Sequence, residues 1–105
     1  MRAGLLALVV LVTFSMDGNA FSHRQRVRGA SIYAAMGCEH CHSIRGTGGK
    51  KGPDLSGVGK RLNKEQIREQ IVSGSNRMPP FGDDLQDKEL SDLIGFLHSC
   101  RDMQR

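Results

Sequence analysis

"GCEHCHS", residues 37–43, sets two cysteines three positions apart with a histidine directly after the second. Three chemistries use such a pair: a metal clip, a redox-active dithiol, and covalent attachment of a haem. A dithiol of the thioredoxin kind heads a helix that follows a buried strand, and no strand pattern precedes Cys38. A structural zinc site takes four ligands, normally including a second close pair, whereas His23, His40, His98 and Cys100 are scattered singly. Haem attachment accounts for each member of the motif. Two thiols add to two vinyl groups, and His42, fixed by the neighbouring thioether, is carried beneath the iron.

Upstream, "MRAGLLALVVLVTFSMDGNAFS" has one basic residue, Arg2, then an apolar run from Leu5 to Phe14, then Gly18 and Ala20. This is the pattern of a secretory leader, residues 1–20, cut after Ala20. The run is well short of the roughly 20 apolar residues that span a bilayer, so no stable membrane insertion is expected. No cysteine precedes Cys38 to carry a lipid at the new terminus. Residues 21–105 then form one small domain without internal repeats. Its aromatics are Phe21, Tyr33, Phe81 and Phe96. So small a domain buries a modest fraction of its surface, and with three cysteines, two of them adjacent in the motif, a disulfide framework is a poor filler. A bound cofactor fills the middle better.

Downstream the periodicity is helical, with no alternating strand pattern of useful length. A first helix is predicted from Arg26 to Met36, ended by Gly37. The stretch "RGTGGKKGPDLSGVGKR", residues 45–61, reads as a long irregular loop. Asn63 caps a second helix, with Leu62 and Ile67 positioned as a hydrophobic staple, and Gly74 ends it. Its buried stripe is Ile67, Ile71 and Val72. The last helix starts near Asp87 and carries Leu90, Leu93, Ile94, Leu97 and Cys100 at helical spacing, with Phe96 on the face that meets the first helix. The expected architecture is all-α, three main helices with long loops wrapped round one cofactor.

Two loop motifs bear on the haem reading. "GPDL", residues 52–55, offers the Pro53 carbonyl eleven residues beyond His42, within reach of the ring nitrogen that does not face a metal. The alternative is a plain turn. "RMPPF", residues 77–81, holds Met78 out of the helical region because Pro79 follows it, and so projects a soft thioether from a stiffened loop. A methionine is otherwise core filler.

Together, "GASIYAAMGCEHCHS", "GPDLSGVGKR", "RMPPF" and "LSDLIGFL" resemble the class I c-type cytochromes, small monohaem proteins, over residues 29–98. The resemblance implies one covalent haem c held by Cys38 and Cys41, His42 as proximal iron ligand, Met78 as distal ligand, and Pro53 accepting from His42. It implies that Gly29 and Tyr33 meet Leu93 and Phe96 where the terminal helices cross, and that Arg61 lies near a propionate. The function it implies is one-electron transfer without substrate chemistry, in an exported and periplasmic protein. The alternatives are a haem protein with a displaceable distal ligand, peroxidase-like or gas-sensing, and a fixed cytochrome subunit of a larger oxidoreductase.

Charge points to the partners. Residues 21–61 carry eight Lys and Arg against two Asp and Glu, and residues 62–105 carry six against eight. The basic half includes the haem motif and Lys50, Lys51, Lys60 and Arg61, which suits a redox partner with an acidic docking surface. Without an aromatic platform, nucleic acid is excluded as a partner. A monomer is expected, with a dimer linked through Cys100 as the alternative.

Overall fold

Four helices carry the chain in the computed structural model, which describes Gly4, residues 7–13 and residues 18–101. They are α1, Gly18–Ala35; α2, Val58–Arg61; α3, Lys64–Ser73; and α4, Asp87–Ser99. A 3-10 turn, Cys38–His40, follows α1, and two short strands, β1 (Ser43–Ile44) and β2 (Thr47–Gly48), pair antiparallel with Ser43 opposite Gly48. The leader expected over residues 1–20 falls partly outside the described residues. Within them residues 8–12 are exposed, and α1 begins ahead of the expected cut.

The first helix therefore starts earlier than Arg26. Residues 18–24 are exposed, so they lack the apolar stripe that periodicity detects, although nothing in "GNAFSHRQ" breaks a helix. The strand pair is a second departure. Arg45 and Gly46 both have positive φ, 53° and 78°, which makes the two-residue turn of a tight hairpin. Strands of two residues are too short to show alternation, and Arg-Gly is not a usual turn signature. The single turn α2 was also hidden, since Gly57 and Gly59 disfavour a helix on propensity. Tertiary contact overrides propensity there: the Gly59 N–H donates to the Cys100 carbonyl at 2.8 Å, and a Cβ on Gly59 would strike the His98 carbonyl.

The second and last helices form where periodicity places them. Asn63 accepts from the Gln66 N–H, and the Gln66 side chain accepts from the Asn63 N–H, each at 2.9 Å, a full capping box. Glu89 likewise accepts from the Gln86 N–H at 2.9 Å and fixes the first turn of α4. The core consists of Ile67 and Ile71 of α3, Leu90, Leu93, Ile94 and Leu97 of α4, with Tyr33, Val58, Leu85 and Cys100 around them. Val72 and Phe96 are only half-buried at its edge.

The crossing of α1 and α4 is as close as backbone permits. A Cβ on Gly29 would collide with the Asp92 carbonyl and the Phe96 Cβ. One turn on, Tyr33 meets Phe96 edge to face with ring centroids 5.7 Å apart, worth about 0.5–1.5 kcal/mol beyond area burial. Next to Gly29, Arg28 forks onto the buried Asp92, Nε to Oδ2 at 3.0 Å and the second guanidinium nitrogen to Oδ1 at 3.4 Å. The carboxylate is thus compensated rather than stranded. Gly29→Ala is expected to lower the unfolding free energy by about 1–3 kcal/mol, the usual cost of overpacking. Urea denaturation checks this, and an unchanged midpoint would show that the helices can separate without penalty.

Candidate haem-binding site

The haem motif is set by the way α1 ends. Gly37 takes the left-handed conformation, φ 75°, which a residue without Cβ adopts freely, and turns the chain out of the helix. The next residues wind tightly. The His40 N–H bonds the Gly37 carbonyl at 3.0 Å, and the Cys41 and His42 N–H groups bond the Cys38 carbonyl at 3.2 and 3.0 Å. Cys38, Cys41 and His42 therefore share one rigid turn. Both motif cysteines are free and half-buried. Burial pushes the Cys38 thiol above its ordinary range, whereas a redox-active dithiol needs a lowered one.

The loop at 52–55 closes against this turn. The Gly52 N–H donates to the Cys41 carbonyl at 2.6 Å and the Leu55 N–H to the Ser43 carbonyl at 2.9 Å. Between those anchors the Pro53 carbonyl lies 2.8 Å from His42 Nδ1. A carbonyl only accepts, so Nδ1 carries the proton and the Nε2 lone pair is left for a metal. Gly52 is required for this approach: a Cβ there would stand 2.6 Å from Cε1 and 2.8 Å from Nδ1 of the His42 ring. On the other side the Tyr33 hydroxyl donates to the His42 carbonyl at 3.3 Å.

The loop itself is braced. Asp54 Oδ1 accepts from the Ser56 N–H and hydroxyl at 2.9 and 2.6 Å, and Ser56 Oγ accepts from the Arg45 N–H at 2.9 Å. Arg61, expected near a propionate, donates from one guanidinium nitrogen to the Asp54 carbonyl at 3.0 Å, which ties it to the same loop.

Met78 is half-buried on a strap that leaves α3 and returns to it. Gly74, φ 64°, turns the chain, the Ser75 N–H bonds the Met78 carbonyl at 2.9 Å, and the Phe81 N–H bonds the Ile71 carbonyl at 2.9 Å. Side chains of Met78, Cys38, Ile44, Leu55 and Phe81 border the same core, half-exposed, an apolar rim suited to a flat hydrophobic cofactor. Two thiols, one oriented imidazole with a free nitrogen and a thioether are the donor set of a covalent haem. Among the described residues no three His, Cys, Asp or Glu side chains gather as a metal site, so the zinc reading lacks its further ligands.

Cys100 packs on the α4 stripe as its spacing predicts. It is fully buried, its thiol reaches the Phe96 carbonyl at 3.4 Å, and burial raises its pKa. A dimer linked through Cys100 would require the core to open, so that alternative does not fit the fold. The sequence reading places Gly74 at a helix end and Gly52 in a loop motif but does not reach the contacts that require them. The only signal for either was a glycine next to a motif residue or at a helix end.

Comparison with known proteins places the chain in a family. A family model described as cytochrome c oxidase, cbb3-type, subunit III matches residues 24–97. Cytochrome c-555 of Methylococcus capsulatus is 37% identical over 78 residues, covering 71% of this chain and 63% of that protein. A nitric oxide reductase subunit of Halomonas halodenitrificans is 35% identical over 85 residues, covering 68% of this chain and 55% of that protein. The chain thus spans about three fifths of the length of these relatives. Helical fold, haem motif and matches together define a class I c-type cytochrome, a protein that binds one covalently attached haem c. Within that class the chain belongs to the family of the cbb3-type subunit III cytochrome domain.

The phenol beneath the motif provides a check on packing. Tyr33 is pushed from 10.0 to about 12, first by burial and then by nearby negative charge, that of Glu39 and Asp54 included. The neutral phenol is favoured in the folded state, so its contribution is present below pH 10.0 and is lost as pH rises toward about 12. Tyr33 is the only tyrosine. Tyrosinate difference absorbance should show its midpoint near 12, with stability falling across the same window; a midpoint near 10 would mean a solvated ring.

Proposed function

We propose that the protein is an exported one-electron carrier in which Cys38 and Cys41 hold the haem by thioethers, and His42 and Met78 are the axial ligands. The observation that carries this reading is the 2.8 Å bond from His42 Nδ1 to the Pro53 carbonyl. It fixes both tautomer and ring direction, as a ligating histidine requires. When bound, the haem supplies an iron that alternates between ferrous and ferric states. His42 presents Nε2 with its ring held against Gly52. Met78 presents a thioether from a strap closed at both ends, and a soft sulfur donor favours the ferrous state. With His42 and Met78 both given to the iron, the protein would leave no place for substrate, and electrons would pass without bond making.

A second reading is favoured by the names of two matches: both are subunits, one of an oxidase and one of a reductase. As a fixed subunit the protein would use the same ligands and differ in the permanence of its partner. Among the described residues no helix is long and apolar enough to cross a membrane. The periplasm is the location that the leader pattern and the exposed apolar segment at residues 8–12 support.

Lys50, Lys51 and Arg45 are exposed on the loops around the haem motif, which supports steering by an acidic partner surface. For a diffusible carrier, oxidation by its partner should slow several-fold as salt rises from low to physiological, because encounter is charge-driven. A flat salt response measured by stopped flow would favour the fixed-subunit reading. The ligand assignment is tested by Met78→Ala. The variant should keep its covalent haem, show a lower midpoint potential and bind carbon monoxide. An unchanged potential with no carbon monoxide binding would place the sixth ligand elsewhere, and carbon monoxide binding to the unmodified protein would favour the displaceable-ligand alternative.

A further inference from the structure

Gln70 is an exposed residue of α3, eight positions before Met78 in sequence, and its side-chain amide turns to the Met78 sulfur. Nε2 lies 3.5 Å from Met78 Sδ, within hydrogen-bonding range for a sulfur acceptor. The arrangement is built from both sides. The Gln70 backbone is fixed by α3, whose capping box holds its start and whose Ile67 and Ile71 are buried in the core. The Gly74 N–H donates to the Gln70 carbonyl at 2.9 Å, so the turn that begins the Met78 strap starts from Gln70 itself. At the far end the Phe81 N–H returns to Ile71, the residue after Gln70. Amide and sulfur are therefore anchored to the same turn of one helix, and their approach does not depend on a mobile loop.

We infer that Gln70 is a positioning residue: it donates a hydrogen bond from Nε2 to Met78 Sδ and raises the midpoint potential of the haem. This rests on the axial role of Met78 proposed above. A thioether sulfur has two lone pairs. If one is directed to the iron, the other is free to accept from the amide, so the two interactions are compatible at one atom. The donated N–H draws electron density from sulfur and makes it a poorer donor. A poorer donor stabilises ferric iron less than ferrous, and the potential rises. The same bond restricts the side-chain torsions of Met78, which would otherwise be free to turn the sulfur away. Gln70 is exposed and the bond to Met78 joins the helix to the strap, so loss of the amide is expected to act on the site more than on the core.

The test is the midpoint potential of the haem-loaded protein in three forms: unmodified, Gln70→Leu, which keeps bulk and helix propensity but has no donor, and Ser73→Ala, which removes a hydrogen bond to Glu69 on the same helix and leaves the Gln70 to Met78 contact in place. The weak red band of sulfur bound to ferric iron and the far-ultraviolet helical signal are recorded for each. The expected result is a lower potential in Gln70→Leu, beyond any shift in Ser73→Ala, with the band retained. Loss of the band in Gln70→Leu with its helical signal intact would equally support the assignment, since the sulfur would then leave once the amide is gone. A potential in Gln70→Leu equal to that of the unmodified protein, with the band present in both, overturns the inference and leaves the Met78 ligation standing. Absence of the band from the unmodified protein overturns both.

Discussion

The contact on which the site depends is the approach of the Gly52 and Pro53 backbone to the ring of His42. A cysteine pair with a following histidine is only a sequence until something aims the histidine. Here the aim comes from one carbonyl, 2.8 Å from Nδ1, and from the absence of a Cβ one residue earlier. The two backbone bonds on either side, Gly52 to Cys41 and Leu55 to Ser43, make the loop and the turn a single unit. The Asp54, Ser56 and Arg45 bonds then tie that unit to the hairpin, so the carbonyl is held by the loop's own polar groups and not by the cofactor. A polar group so placed has its partner before any metal arrives, and orientation costs little on binding.

A small core explains why the chain needs that unit to be rigid. Among the described residues ten make up the buried cluster, and further half-exposed apolar side chains pack against it. Such a rim is unfavourable in water unless something covers it, and a flat apolar macrocycle attached through Cys38 and Cys41 is suited to do so. The α1 and α4 crossing stabilises the rest. There the Gly29 contact, the Tyr33 and Phe96 rings and the Arg28 to Asp92 fork lie within two turns of one another. Tyr33 belongs to both regions, since its ring packs on Phe96 while its hydroxyl bonds the His42 carbonyl.

Much of this was legible in residue order. The α4 stripe, the Asn63 cap and the end of α1 at Gly37 follow from period and cap chemistry, because in each case the signal is local. Gly29 was readable only through resemblance, as a small residue in a helix that otherwise has no reason to carry one. What was not legible depends on distant partners. The helical turn at Val58–Arg61 exists because Gly59 fits against the end of α4, and the early start of α1 leaves no apolar trace. The bond from Arg61 to the Asp54 carbonyl seven residues back has no signature in the sequence. Cys100 fell on the predicted stripe and is buried there, which removes the thiol that a surface reading would have made reactive.

The two proposed ligands are held by different means, and the difference bears on electron transfer. His42 is fixed by a loop bonded to its own turn, Met78 by a strap bonded at both ends to α3. Helix α4 packs against α1, α2 and α3 alike, so the elements that carry either ligand share one scaffold. With their supports tied to the same buried stripe of Leu90, Leu93, Ile94 and Leu97, neither ligand can move far without disturbing the core. Small displacement between oxidation states is what an outer-sphere carrier needs, and a subunit passing electrons to a fixed neighbour needs the same. The fold therefore satisfies the requirement common to both roles, and the choice between them falls to the surface, where the basic residues of the 45–61 segment meet a partner.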